Sequence, residues 1–177
     1  MPLFAAATAV LWFFDRPGSL PRWKLASLCG VTAAGLGLLL SQPIGWLWFR
    51  QRPFDAHPTE TLLLLSPSNE PSFPSDHAVA AFAIAFAVAF FGRRMAALFL
   101  AGATMVALAR VFVGLHYPGD IAGGALLGLV SAALVVLLAE RPLRPIIALA
   151  SRLTDPVALQ IWRAFDWAAA RRHSPRP

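Results

Sequence analysis

Cysteine is almost absent from this chain of 177 residues. Cys29 stands alone, so no intrachain disulfide staples the fold. Charge is scarce as well: charged residues make up 14% against 58% hydrophobic ones, and the mean hydropathy is +0.63. That balance excludes an ordinary soluble domain and leaves room for one domain at this length. The sequence has no internal repeat and no low-complexity segment. Its net charge of +6 is not organised as an aromatic-studded basic stripe, which argues against nucleic acid as a partner. Met1-Pro2 gives no basic leader and no clear cleavage site follows, so the first apolar block does not read as a secretory signal peptide.

The apolar residues fall in blocks of membrane-crossing length rather than in short amphipathic stripes. Four blocks read as spanning helices: Leu25 to Gln42, Ala78 to Gly92, Met95 to Ala109 and Ile121 to Ala139. The second and third are short for a crossing of about 20 residues and are expected to borrow length from their flanks. A fifth block, Leu3 to Phe14, begins so close to Met1 that a shortened or missing helix is expected there. Glycine and alanine are dense in all of them, and small residues let helices approach closely in lipid. The expectation is an all-α membrane bundle of five helices, six if the start is truncated. Residues 1–140 form its transmembrane domain and 141–177 a basic cytoplasmic tail. Within that tail, Val157 to Ala170 carries Ile161, Trp162, Phe165 and Trp167 and suits a helix lying at the inner interface.

Basic residues are distributed unevenly between the loops. Arg16, Arg22, Lys24, Arg93, Arg94, Arg141, Arg144, Arg152, Arg163, Arg171, Arg172 and Arg176 account for 12 of the 15 and share one side, the cytoplasm by the positive-inside rule. The other three, Arg50, Arg52 and Arg110, lie on the opposite side beside every histidine except His173. Topology does not explain them, so function is the expected reason.

On that side stand three patches: Arg50-Gln51-Arg52-Pro53, Pro74-Ser75-Asp76-His77, and Arg110 through His116 to Asp120. Polar groups at a membrane boundary are costly unless solvated or paired, and clusters of them mark sites. Singly, each patch has an ordinary reading: Arg-Pro as a loop, Ser75-Asp76 as a helix cap, His116 as a structural histidine. Together their chemistry suits phosphate. Arginines offer forked donors, and Ser75 adds a hydroxyl at the start of a helix whose free N–H groups favour an anion. Two histidines supply a nucleophile and an acid near neutral pH. Asp120, four residues after His116, is expected to accept the Nδ1 proton of that ring and present Nε2 for attack. His116 is therefore the expected nucleophile and His77 the proton donor, with Arg110 pointing into the same pocket across a bend at Gly114.

These residues resemble the three signature motifs of the type 2 phosphatidic acid phosphatase superfamily, K-x6-R-P, P-S-G-H and S-R-x5-H-x3-D. Arg52-Pro53 matches the end of the first, Pro74-Ser75-Asp76-His77 the second, and Arg110, His116 and Asp120 the third. Within the superfamily, Arg50-Gln51-Arg52-Pro53-Phe54 with Ala56-His57-Pro58, and Ser72-Phe73-Pro74-Ser75-Asp76-His77-Ala78, resemble the bacitracin-resistance type of undecaprenyl pyrophosphate phosphatase. The resemblance implies a phosphohistidine on His116, proton donation by His77, and phosphate held by Arg52, Ser75 and Arg110, with no metal or other cofactor. It implies a polyprenyl pyrophosphate substrate drawn from the membrane. Other lipid phosphates (phosphatidylglycerophosphate, phosphatidic acid, decaprenyl-linked phosphoribose) and a non-catalytic lipid-phosphate binder are the alternatives. Two positions depart from the pattern: Gly45 stands where the motif lysine belongs, and Ala109 where the family has serine. Arg50 is expected to fill the space of that lysine, and His57 to be a rim residue.

Overall fold

The computed structural model describes residues 2–59, 61 and 70–173. The described residues form helices α1 (Pro2–Trp12), α2 (Arg22–Leu47), α3 (Pro53–Ala56), α4 (Asp76–Phe91), α5 (Arg93–Phe112), α6 (Pro118–Leu134) and α7 (Glu140–His173). A π-helical turn, Val135–Ala139, joins α6 to α7 without a break. The all-α expectation holds. Three helical stretches are long and apolar enough to cross a membrane: Arg22–Leu47, Arg93–Phe112 and Pro118–Trp167; α1 and α4 are apolar but shorter.

The helix α4 is the hub of the bundle, packing against α2, α5 and α6. Its 16 residues span only about 24 Å at 1.5 Å per residue. At one end it starts inside a cluster of polar loops; at the other, Gly92 alone separates it from α5. The alanines at 78, 80, 81, 83, 85 and 87 are all buried, so neighbours approach its backbone directly. At the α4–α6 contact, glycines of α6 lie against the backbone of α4 and the residue before it. A Cβ on Gly124 would lie 2.9 Å from the Ser75 carbonyl oxygen, and one on Gly128 would lie 2.8 Å from the Val79 carbonyl oxygen. Small residues here replace the larger interlocking side chains of a soluble core. Exposed Leu39, Leu98, Met105, Leu108 and Leu126 face outward from the bundle, as expected of surfaces that meet lipid.

The start of α2 and the start of α5 define a basic end. There, Arg22 donates to the Phe91 carbonyl, one of the carbonyls a helix terminus leaves without a helical donor. Asp15 accepts from the Trp23 and Lys24 N–H groups, at 2.8 Å each, and caps α2 because Pro21 at its start has no capping side chain. The residues from 141 onward do not begin as a separate segment after Ala139. Instead α7 continues from the π turn with Pro145 and Pro156 inside it, and polar contacts tie it to α1 and α2. Trp12 Nε1 donates to Thr154 at 3.1 Å, and Lys24 Nζ donates to Ser151 at 3.0 Å while pairing with Asp155. Arg16 pairs with Asp166 at 3.0 Å and lies over Trp162. Part of the basic tail, including Arg176, lies outside the described residues.

Lys24 is only 4% exposed, so its charge depends on these partners. Removing one member of a fully buried pair costs about 3–5 kcal/mol; Asp155 keeps 30% exposure, so Lys24→Ala should cost about 2 kcal/mol. Thermal unfolding in detergent measures it. The double variant with Asp155→Ala should recover part of the loss.

Candidate active site

At the end of the bundle opposite the basic one, loops between α2 and α4 and between α5 and α6 fold over the start of α4. They enclose a cavity of about 250 Å³. Gln42 and Trp46 of α2, Asp76 and His77 of α4, and Arg110 of α5 line it together with Arg52 and His116 from the loops. The three motif patches thus converge on one space. Trp46, Trp48 and Phe49 are exposed beside it, the pattern of an aromatic belt at a membrane–water boundary.

His116 sits on the wall, 4% exposed, after a turn in which Gly114 takes a φ of +75°. Only glycine adopts that left-handed conformation without cost, which is why the chain reverses there. The His116 Nδ1–H donates to the Ser72 carbonyl at 2.9 Å. This fixes the tautomer and leaves the Nε2 lone pair facing Arg52, whose Nη1 is 3.4 Å away. Burial, reinforced by Arg52 and Arg110, pulls the His116 pKa down to about 4, although the Ser72 hydrogen bond and Asp120 oppose it. The ring is therefore neutral at pH 7.

Asp120 is placed differently from the sequence expectation. Its carboxylate stays 3.9 Å from His116 Nδ1 and is held by other donors. These are Ser72 Oγ at 2.6 Å, Tyr117 N–H at 2.8 Å and Arg50 Nη1 at 3.1 Å. Spacing alone put Asp120 next to the ring. The second loop, which the spacing could not show, supplies a carbonyl that takes the proton first.

Arg50 also departs from expectation. Its guanidinium is occupied by Asp120 and lies 3.9 Å above the Tyr117 ring, and it does not line the cavity. It does not replace the motif lysine. Gly45 itself lines the cavity, and a Cβ there would already meet the Phe73 carbonyl oxygen at 3.1 Å. The loop therefore occupies the room a longer side chain would need.

Arg52 is 6% exposed, held by its Nε–H to the Glu70 carbonyl at 2.9 Å. Burial lowers its pKa, opposed first by Glu70, but a guanidinium has so much reserve that it stays charged. Arg110 comes from the last turn of α5, where the helix dipole favours a cation. Its Nε is buried without a hydrogen-bond partner, and so is Ser75 Oγ. Buried donors left unpaired are costly, and two of them near a cavity lined by Arg52 and Arg110 suit an anionic ligand. Ser75 is itself fully buried and stands behind the lining at the start of α4. His57 is exposed at the end of α3 and does not line the cavity.

Sequence reasoning missed Ser41 and Gln42, which donate to Asp76 at 2.6 and 3.3 Å and lock α2 to α4 beside the cavity. Two polar residues near the end of an apolar helix were the available signal. It also assigned no role to Ser72, although Ser72 lies within a motif.

Helices long and apolar enough to cross a membrane, with arginines and two histidines gathered around a cavity at one end of the bundle, define the class as a helical membrane protein with a polar terminal site. The chain belongs to the PAP2 superfamily, whose family model matches residues 24–144. It is 28% identical over 154 residues to undecaprenyl-diphosphatase BcrC of Bacillus subtilis (strain 168), covering 87% of this chain and 76% of that protein. It is 33% identical over 135 residues to the bacitracin transport permease protein BcrC of Bacillus licheniformis, covering 76% of this chain and 64% of that relative. Its fold is similar to Aquifex aeolicus LpxE, with a TM-score of 0.60 and 23% identity over 76% of this chain and 82% of that one. A similar match, TM-score 0.56 and 24% identity, is to a PAP2-type phosphatidylglycerolphosphate phosphatase from Bacillus subtilis, covering 79% and 68% of the two chains.

Proposed function

We propose that this chain hydrolyses undecaprenyl pyrophosphate to undecaprenyl phosphate and inorganic phosphate, recycling a cell-wall lipid carrier. One observation carries the reading: a neutral His116 shares a single cavity with His77, Arg52 and Arg110. In the first step the His116 Nε2 lone pair forms a bond to the terminal phosphorus. The bond from phosphorus to the bridging oxygen breaks, and that oxygen takes a proton from His77. In the second step water attacks the phosphohistidine, the N–P bond breaks, and the water proton returns to His77. Arg52 and Arg110 hold the equatorial oxygens, so the protein contributes mainly position and charge to a loose transition state. Asp120 and Arg50 act from behind His116 rather than on the phosphate.

Since the basic end is cytoplasmic by the positive-inside rule, the cavity opens on the outer face of a bacterial plasma membrane. The choice of lipid rests on the first relative, which is named an undecaprenyl-diphosphatase, and on the motif resemblance. Purified protein in detergent should release phosphate faster from undecaprenyl pyrophosphate than from phosphatidylglycerophosphate or phosphatidic acid. A reversed order would reassign the substrate.

Gly45 favours a second reading, because it leaves the cavity one cation short of the family pattern. A non-catalytic binder of lipid phosphate would retain the lipid through purification and release no phosphate from any member of that panel.

A further inference from the structure

We infer that Ser72 and Arg50 are positioning residues that hold the Asp120 carboxylate off the His116 ring, so that a neutral peptide carbonyl, not a carboxylate, orients the nucleophile. This rests on the phosphohistidine reading of the site. The geometry is a small closed frame. The Ser72 hydroxyl donates to Asp120 Oδ2 while the carbonyl of the same residue accepts the His116 Nδ1 proton. Arg50 holds the other oxygen, Oδ1, and its own carbonyl accepts the Ser72 N–H at 2.8 Å. The Tyr117 N–H closes the frame on Oδ2, and the Asp120 carbonyl accepts the Ser75 N–H at 3.2 Å. One fully buried carboxylate thus joins three loop segments behind the nucleophile.

The chemical consequence concerns basicity. A carboxylate bonded to Nδ1 would stabilise the imidazolium and protect Nε2 as a proton acceptor. A carbonyl orients the ring equally well but leaves Nε2 less basic, hence unprotonated over a wider pH range. The negative charge, set back at 3.9 Å, still faces the ring and can stabilise positive charge once the N–P bond forms. The other charged groups around His116 are Arg52 beside Nε2, Arg110 from α5, Asp76 and His77 from α4, and Glu70 behind Arg52. The α2 helix presents Ser41, Gln42, Gly45 and Trp46 there, and none of them titrates.

The test is the titration of His116 followed by ¹⁵N NMR of the full chain in detergent, together with the acid limb of kcat/KM. In Ser72→Ala the carboxylate is freed to reach Nδ1, and the His116 midpoint should rise by about one unit or more, the effect of a carboxylate in contact. The acid limb should move up with it, and Ser72→Thr, which keeps the hydroxyl, should restore both. Arg50→Met, at a half-exposed position, should shift the midpoint in the same direction even if Ser72→Ala does not fold. A midpoint unchanged in both variants would overturn the inference. Because the NMR titration needs no turnover, it decides the point separately from the proposed activity: loss of phosphate release in the wild-type protein sinks the enzyme reading, not the frame.

Discussion

Replacing His116 by alanine should reduce phosphate release by on the order of 10⁴-fold or more while the protein still inserts and still binds lipid phosphate. Loss of a nucleophile in covalent catalysis has an effect of that size, because the remaining groups can only position substrate for water. The substitution leaves the surroundings of the ring in place: Arg52 keeps its bond to the Glu70 carbonyl, and behind the site Asp120 keeps Ser72, Tyr117 and Arg50. Affinity for the lipid should therefore change far less than kcat. The wild-type enzyme should also form an acid-labile phosphoenzyme that His116→Ala cannot form. The pH dependence follows from the sign of the shift. Since His116 titrates near 4 rather than 6.5, lowering the pH from 7 to 5 leaves the nucleophile unprotonated, and its loss begins only as the pH approaches 4. Normal turnover in His116→Ala would remove the mechanism.

Much of this was legible in the sequence because membrane helices obey few rules. Long apolar blocks must be helical where no water can pair the backbone, so most boundaries were wrong only by a turn or so, as at Arg22 and Phe112. The expected end at Ala139 is not an end, because the helix runs on into α7. The motif patches were legible too, since arginine and histidine at such a boundary need a reason. What the sequence could not show was the order in which groups compete for one another. His116 and Asp120 are four residues apart on the chain, yet Ser72, more than 40 residues away, takes the ring proton through its carbonyl and the carboxylate through its hydroxyl. Arg50 likewise has a side chain long enough to enter the cavity but finds an uncompensated carboxylate first. The continuity of α7 was not legible, because Pro145 and Pro156 inside it disfavour a helix on local grounds. Lys24, Ser151 and Asp155 supply the tertiary contacts that hold the helix across them.

His77→Asn should separate the two chemical steps. With a polyprenyl pyrophosphate, the rate should fall by about 10²–10⁴-fold, the usual contribution of a positioned general acid. His77 lines the cavity from the first turn of α4, the end of the helix where backbone N–H groups face an anion. A bound phosphate brings negative charge next to the imidazole and favours its protonated form. An aryl phosphate with an acidic phenol as its leaving group needs no such proton, so His116 should still be phosphorylated in the variant. The second step still needs a base for water. The variant should therefore release about one equivalent of phenol per enzyme in a burst and then turn over slowly, with phosphohistidine accumulating. Equal slowing of burst and steady state would mean that His77 acts in binding rather than in proton transfer. Unchanged turnover of the lipid would exclude it from the chemistry altogether.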